Sequence, residues 1–231
     1  MMWGFRCAFV RLYQITENMI DINAVDTVIS VKLRSGVYRK RLTAGEYTFD
    51  KGITALVGGV NSAAAGLAYL ASGRCSFGGC TVSIDGIQVT RRELSEESCL
   101  LGSMPGFQSI LTVRQLIKRA LSHNVNEGYD VDTVAGKFCL TPERMERKLQ
   151  YNGNERYRAS AAVGYAYGKH IYCVGYMEHF MFEKNYKACL IPFLKLLRDE
   201  GMTVLFATDD AGNAEAIADR IYYFDKEEKQ C

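Results

Sequence analysis

No stretch of this sequence is hydrophobic for long enough to cross a bilayer. The apolar residues 1–13, MMWGFRCAFVRLY, are cut by Arg6 and Arg11 far short of the ~20 residues that a spanning helix needs, and they do not read as a signal peptide. An excess of charge of either sign is also missing. Twenty-eight Lys and Arg against 26 Asp and Glu leave a net charge of +2, which gives no electrostatic footprint for a nucleic acid, and none is expected as a partner. Metal-ligand spacing is missing as well. The 8 cysteines are scattered, and the pair Cys75 and Cys80 is separated by Ser-Phe-Gly-Gly, so they read as structural thiols and no metal site is expected. What remains is an ordinary globular balance, 48% apolar and 23% charged, over a length that can bury a substantial α/β core.

Residues 26–34 (DTVISVKLR), 37–42 (VYRKRL) and 46–49 (EYTF) have strand lengths and β-branched or aromatic content, and predict a small antiparallel sheet. ITALVGG follows with no polar face, as a strand covered on both sides requires, and runs into a helix candidate from Ser62 to Ala71. Residues 80–90 (CTVSIDGIQVT) carry an Asp-Gly turn. Residues 111–124 place Leu116, Ile117, Ala120 and Leu121 on one helical face, and Thr141 followed by Pro142 opens a helix over 141–149.

The second half repeats an α/β rhythm. Helices are predicted over 155–167, 186–199 and 214–220, and apolar strands over 171–174, 202–208 and 221–224. Such units build a mostly parallel sheet with helices on both faces. Seven of the 14 tyrosines fall between 151 and 186, either as half-buried side chains or as an aromatic patch.

The stretch 56–73, LVGGVNSAAAGLAYLASG, has the layout of a phosphate-binding loop: apolar strand, glycines, small polar turn, helix. Such loops work because successive backbone N–H groups and a helix N-terminus face the anion, while a lysine adds charge and a hydroxyl holds Mg²⁺. Gly58 and Gly59 suit the turn, and Asn61 or Ser62 suits a helix cap. Ala63, Ala64, Ala65 and Gly66 then follow, with no cation and no hydroxyl until Tyr69. By itself the segment reads as a structural turn.

In order and spacing, GITALVGG, LAYLASG, TVSIDGIQV, LTVRQLI, NGNERYR and GMTVLFATDD…AEAIADRIYYFD resemble the ATP-binding subunit of an ABC transporter over most of the chain. The resemblance implies an α/β fold in a single domain spanning 1–231: a P-loop NTPase-like core with a mostly parallel sheet, an antiparallel β portion near 26–90 and a helical subdomain near 107–153. It also shows which family residues are replaced. The loop Lys-Ser-Thr falls at Ala64, Ala65 and Gly66. The Mg²⁺-contacting glutamine falls at Gly106, with Gln108 two residues on. The signature Leu-Ser-Gly-Gly becomes Tyr151-Asn152-Gly153-Asn154, the Asp-Glu pair falls at Gly175-Tyr176, and the histidine after the next strand at Asp209.

Charge, metal and water-positioning groups are thus absent together, and His179, Glu178 and Asp210 are the nearby groups that would have to replace them. Neither catalytic residues nor a bound cofactor are expected. ATP and Mg²⁺ enter only under the alternative of an unusual active ATPase. The leading expectation is a non-catalytic subunit at the cytoplasmic side of a membrane, as a homo- or heterodimer, pairing with an intact ABC-type ATPase subunit or docking on a transporter membrane subunit. By resemblance that docking uses Pro105, Gly106, Phe107 and Gln108. A soluble interaction or regulatory module is the other alternative.

Overall fold

A computed structural model describes residues 18–33, 36–103, 110–123, 128–183 and 187–224. Its centre is a five-stranded sheet in the order β11 (Arg220–Tyr223), β5 (Gly52–Val57), β10 (Thr203–Thr208), β9 (Ile171–Met177) and β8 (Ser98–Leu100), with every neighbouring pair parallel. All six residues of β5 and all six of β10 are buried, as their lack of a polar face requires.

The alternation of strand side chains divides the interior into two cores. Ile53, Ala55, Val57, Val204 and Phe206 face one side, packing with α6 (Arg156–Ala166), α8 (Lys187–Asp199) and α9 (Ala211–Ile217). Leu56, Leu205, Ala207, Ile171 and Cys173 face the other, packing with α1 (Ala63–Ala71) and the antiparallel strands. On α8 the expected Leu190, Phe193, Leu194 and Leu197 are the buried positions.

The antiparallel part differs in detail from the sequence expectation. The segments 27–33, 36–42 and 45–49 do not form one sheet. β2 (Thr27–Leu33) and β3 (Gly36–Leu42) make a separate two-stranded ribbon, whereas β4 (Gly45–Phe49) joins β1 (Ile20–Ala24), β6 (Thr81–Ile84) and β7 (Ile87–Gln88). β1 lies between β4 and β6, so that Ile20 faces both Phe49 and Ile84. The ribbon packs on α1, all nine residues of which are buried. Gly66 makes that approach possible: a Cβ there would lie 2.4 Å from the Arg41 carbonyl oxygen.

α2 (Arg91–Glu97) opens with a capping box between Thr90 and Glu93 and leads into β8. The helical region follows as α3 (Val113–Leu121), α4 (Val131–Lys137) and α5 (Pro142–Met145), with α3 packed on α6. α5 stops short of the predicted residue 149. Beyond it the Arg147 carbonyl accepts from Val113 N–H at 3.0 Å and Lys148 pairs with Thr112, so the chain leaves the helix to close against the start of α3. Among the described residues no helix is long and apolar enough to cross a membrane.

Candidate functional site

In open α/β sheets the ligand crevice lies outside the carboxyl ends of the strands. Here the chain leaves β5 into the loop 58–62. Gly58 N–H donates to the Thr208 carbonyl at 2.9 Å, which ties the loop to β10. A Cβ there would meet Ser62 Oγ at 2.5 Å and displace that hydroxyl, so glycine suits the position. Ser62 occupies the N-cap position of α1 but does not cap it through its side chain. Its N–H and Oγ both donate to the Gly59 carbonyl, at 2.9 and 2.6 Å, and close the loop on itself.

A cation is present at this loop, and it comes from elsewhere in the chain. Lys40, on β3, donates from Nζ to the Val60 carbonyl at 2.8 Å and is only 8% exposed. Burial lowers its pKa. The positions that carry lysine and hydroxyl in the resembled family hold Ala64 and Ala65, both fully buried. No local spacing announces Lys40, which precedes the loop on an element that folds back over α1.

At the carboxyl end of β9 the protein fills its own space. A Cβ at Gly175 would lie 2.8 Å from the Tyr69 hydroxyl, so an aspartate has no room there in this packing. Burial raises the Tyr69 pKa, and Tyr157 and Tyr38 add to the shift. The next residue, Tyr176, is likewise pushed up, first by burial and then by the charge of Asp209 and the hydrogen bond it donates to that carboxylate. Both phenols are neutral hydrogen-bond donors at neutral pH, without the anionic oxygens that hold Mg²⁺.

Asp209 Oδ1 also accepts from His179 N–H at 2.8 Å. Asp210 caps α9 by accepting from Asn213 N–H at 3.1 Å and is in contact with His179 Nδ1. The hydrogen bond to Asp210 raises the His179 pKa. Burial opposes ionisation of Asp210, but His179 and Asn213 prevail and lower its pKa. The structure therefore brings His179, Asp209 and Asp210 together, while Glu178 is exposed beside them with no side-chain cap on the short α7 (His179–Met181). Among the described residues no group of three or more His, Cys, Asp or Glu is placed to hold a metal ion.

Residues 151–154 form 3₁₀ turns leading into α6. Asn152 is buried, with its amide donating to the Lys148 carbonyl at 3.2 Å, and Gly153 adopts φ +55°. Tyr151 is 64% exposed. The expected docking residues Pro105, Gly106, Phe107 and Gln108 lie outside the described residues.

Neither a protein-family model nor a curated protein sequence matches the chain. Solved structures do. One is an ATP-binding cassette, solved as a dimer in a post-hydrolysis state bound to ADP and Pi. It aligns at a TM-score of 0.62 and 15% identity over 89% of this chain and 94% of its own. A second is the ATP-binding subunit of an ABC transporter, at a TM-score of 0.58 and 12% identity over 89% of this chain and 85% of its own. At these identities the likeness is one of fold, and the parallel core, antiparallel β subdomain and helical subdomain of this chain are those of ABC-transporter ATP-binding subunits.

Proposed function

We propose that this chain is a catalytically degenerate ABC-type subunit that acts through its surfaces, pairing with an intact ATPase subunit or docking on a membrane subunit at the cytoplasmic face. The observation that carries this reading is the packing of the Tyr69 hydroxyl against Gly175, where the resembled family has its metal-linked aspartate. The alanines at 64 and 65 and the Tyr176–Asp209 hydrogen bond support it, since the residues present do not fit Mg-ATP. Losing a single general base would leave binding intact, whereas here metal and water-positioning groups are missing together.

The same edge offers apolar surface. Val60, after β5, is 42% exposed and Phe180, after β9, is 62% exposed. Exposed apolar side chains after the strands of one sheet can contribute to a protein interface. For the membrane subunit, the proposed contact is the segment 105–108, with Phe107 entering a groove.

Two measurements test the reading. Calorimetric titration of the isolated chain with Mg-ATP is expected to give no binding, and stoichiometric Mg²⁺-dependent binding would overturn the proposal. Lys40 favours one second reading, weak Mg²⁺-independent anion binding at the loop, which the same titration in chelator distinguishes. Co-purification from native membranes is expected to bring down an intact ATPase or a transporter membrane subunit, and less of the latter with Phe107→Asp. Capture of neither points to the soluble interaction module. Unchanged capture by Phe107→Asp would leave the complex standing and remove that docking contact.

A further inference from the structure

A cavity of about 970 Å³ opens between α2, β8, the carboxyl end of α6 and the turn after α1. Its walls carry Arg74, Arg91, Arg92 and Lys169, against a single carboxylate, Glu96. Glu96 is taken by Arg92, at 3.1 Å. Arg91 Nε donates to the Gly73 carbonyl at 3.2 Å, and Lys169 Nζ donates to the carbonyls of Ser95, Glu96 and Ser98 at 2.7, 3.1 and 2.8 Å, which occupies all three of its N–H groups. These carbonyls hold the side chains in place without cancelling their charge.

Arg74 is half-buried, and among the described residues no carboxylate pairs with its guanidinium. Burial disfavours its charge and Arg91 adds repulsion, while burial also disfavours the charge of Lys169, with Arg74 adding to the shift and Glu97 and Glu96 opposing it. Arg74 is therefore near enough to repel both Arg91 and Lys169 in a partly dehydrated space, where an anion would offset that repulsion. Beside them the wall turns apolar and aromatic. Val163 and Gly164 line it, and the rings of His123 and Tyr167 lie with centroids 6.2 Å apart.

We propose that this cavity binds a small organic phosphate, its phosphate held by Arg74 and Arg91 with Lys169 adding positive charge, and its organic part against Tyr167, His123 and Val163. Arginine suits that role because its fork matches a phosphate with two parallel hydrogen bonds. A volume of this size is that of a small-molecule pocket, and the half-buried Arg74 is better reached by a small anion than by a protein surface. The site stands apart from the proposed pairing role, and neither depends on the other.

The test is isothermal titration of the full chain in Mg²⁺-free buffer with inorganic phosphate and with phenyl phosphate. Both are expected to bind, phenyl phosphate more tightly, and added salt to weaken both. Arg74→Gln should weaken both by roughly tenfold or more, the effect of removing a charge-assisted contact. Tyr167→Ala should remove only the advantage of the ring. Far-ultraviolet circular dichroism of each variant separates loss of fold from loss of binding. Absence of binding by both probes in the folded wild type, or retention of affinity in folded Arg74→Gln, would each overturn the proposal. So would binding of an acidic peptide in place of either phosphate.

Discussion

The Tyr69 hydroxyl on α1 and Gly175 on β9 share a single space, since a Cβ on residue 175 would lie 2.8 Å from that hydroxyl. Gly175→Ala is therefore expected to destabilise the protein by about 1–3 kcal/mol, the usual cost of overpacking a well-filled interior. Tyr69→Phe removes the atom in the way, so the double variant should recover part of the loss. A double-mutant cycle in urea measures this, and strict additivity would contradict the contact.

Gly66→Ala sets two effects against each other. Alanine is better than glycine within a helix by about 1 kcal/mol. The new Cβ, however, would meet the Arg41 carbonyl oxygen at 2.4 Å, a backbone atom that moves only if the β2–β3 ribbon moves. Overpacking should win, with a net loss of about 1–3 kcal/mol in urea denaturation. A stabilised variant would mean that the ribbon yields readily.

Alkaline pH should weaken the fold. Burial pushes the Cys75 thiol up to about 12 and raises Cys99 and Cys173 above the ordinary 9.0. The unfolded chain gives up these protons first, so the contribution is full below the unfolded value and is lost as pH rises toward the folded ones. Lys40 acts the other way, because its lowered pKa makes its burial less costly as pH approaches 10.5. Urea midpoints should fall between neutral pH and about pH 10. The fall should be shallower in Cys75→Ala and steeper in Lys40→Met.

The imidazole of His179 should titrate above its ordinary 6.5, held by the hydrogen bond to Asp210, with Glu183 and Asp209 adding to the effect. Nuclear magnetic resonance of the ring follows this directly. Asp210→Asn should bring the midpoint back toward 6.5, and an unchanged midpoint would remove Asp210 as the cause.

Restoring one group of the resembled family should not restore turnover. In Ala64→Lys the new side chain starts from a fully buried position, and Gly175 and Tyr176 still supply neither metal ligand nor water-positioning group. No phosphate release above background is expected, and measurable turnover would reverse the reading of the site.

The parallel core was legible because its strands, ITALV and TVLFAT, have no polar face and alternate with segments of helical length. α2 was also written in the sequence, as the capping box Thr90–Glu93, a signal that the strand-first reading of 80–90 overlooked. Other features leave no local trace. That β4 pairs with β1 instead of β3 depends on Ile20 meeting both Phe49 and Ile84, and Lys40 meets Val60 only after β3 has folded over α1. Tyr69 and Gly175 are each unremarkable alone, and their meaning lies in the approach of two elements far apart in the chain.

The strand order has a consequence for how the protein is made. β5 lies between β10 and β11, so the strand ending at Val57 finds no sheet neighbour until the chain has been synthesised past Thr203, and its second only near Arg220. A nascent chain can form the β1–β4–β6 sheet and the β2–β3 ribbon early, and α1 can cover one face of β5, but both edges of that strand stay unpaired through most of translation. Pairings this distant in sequence are slow to form and expose surface meanwhile. The last stretch of synthesis, more than any earlier one, is therefore the interval in which this protein commits to folding or to aggregation.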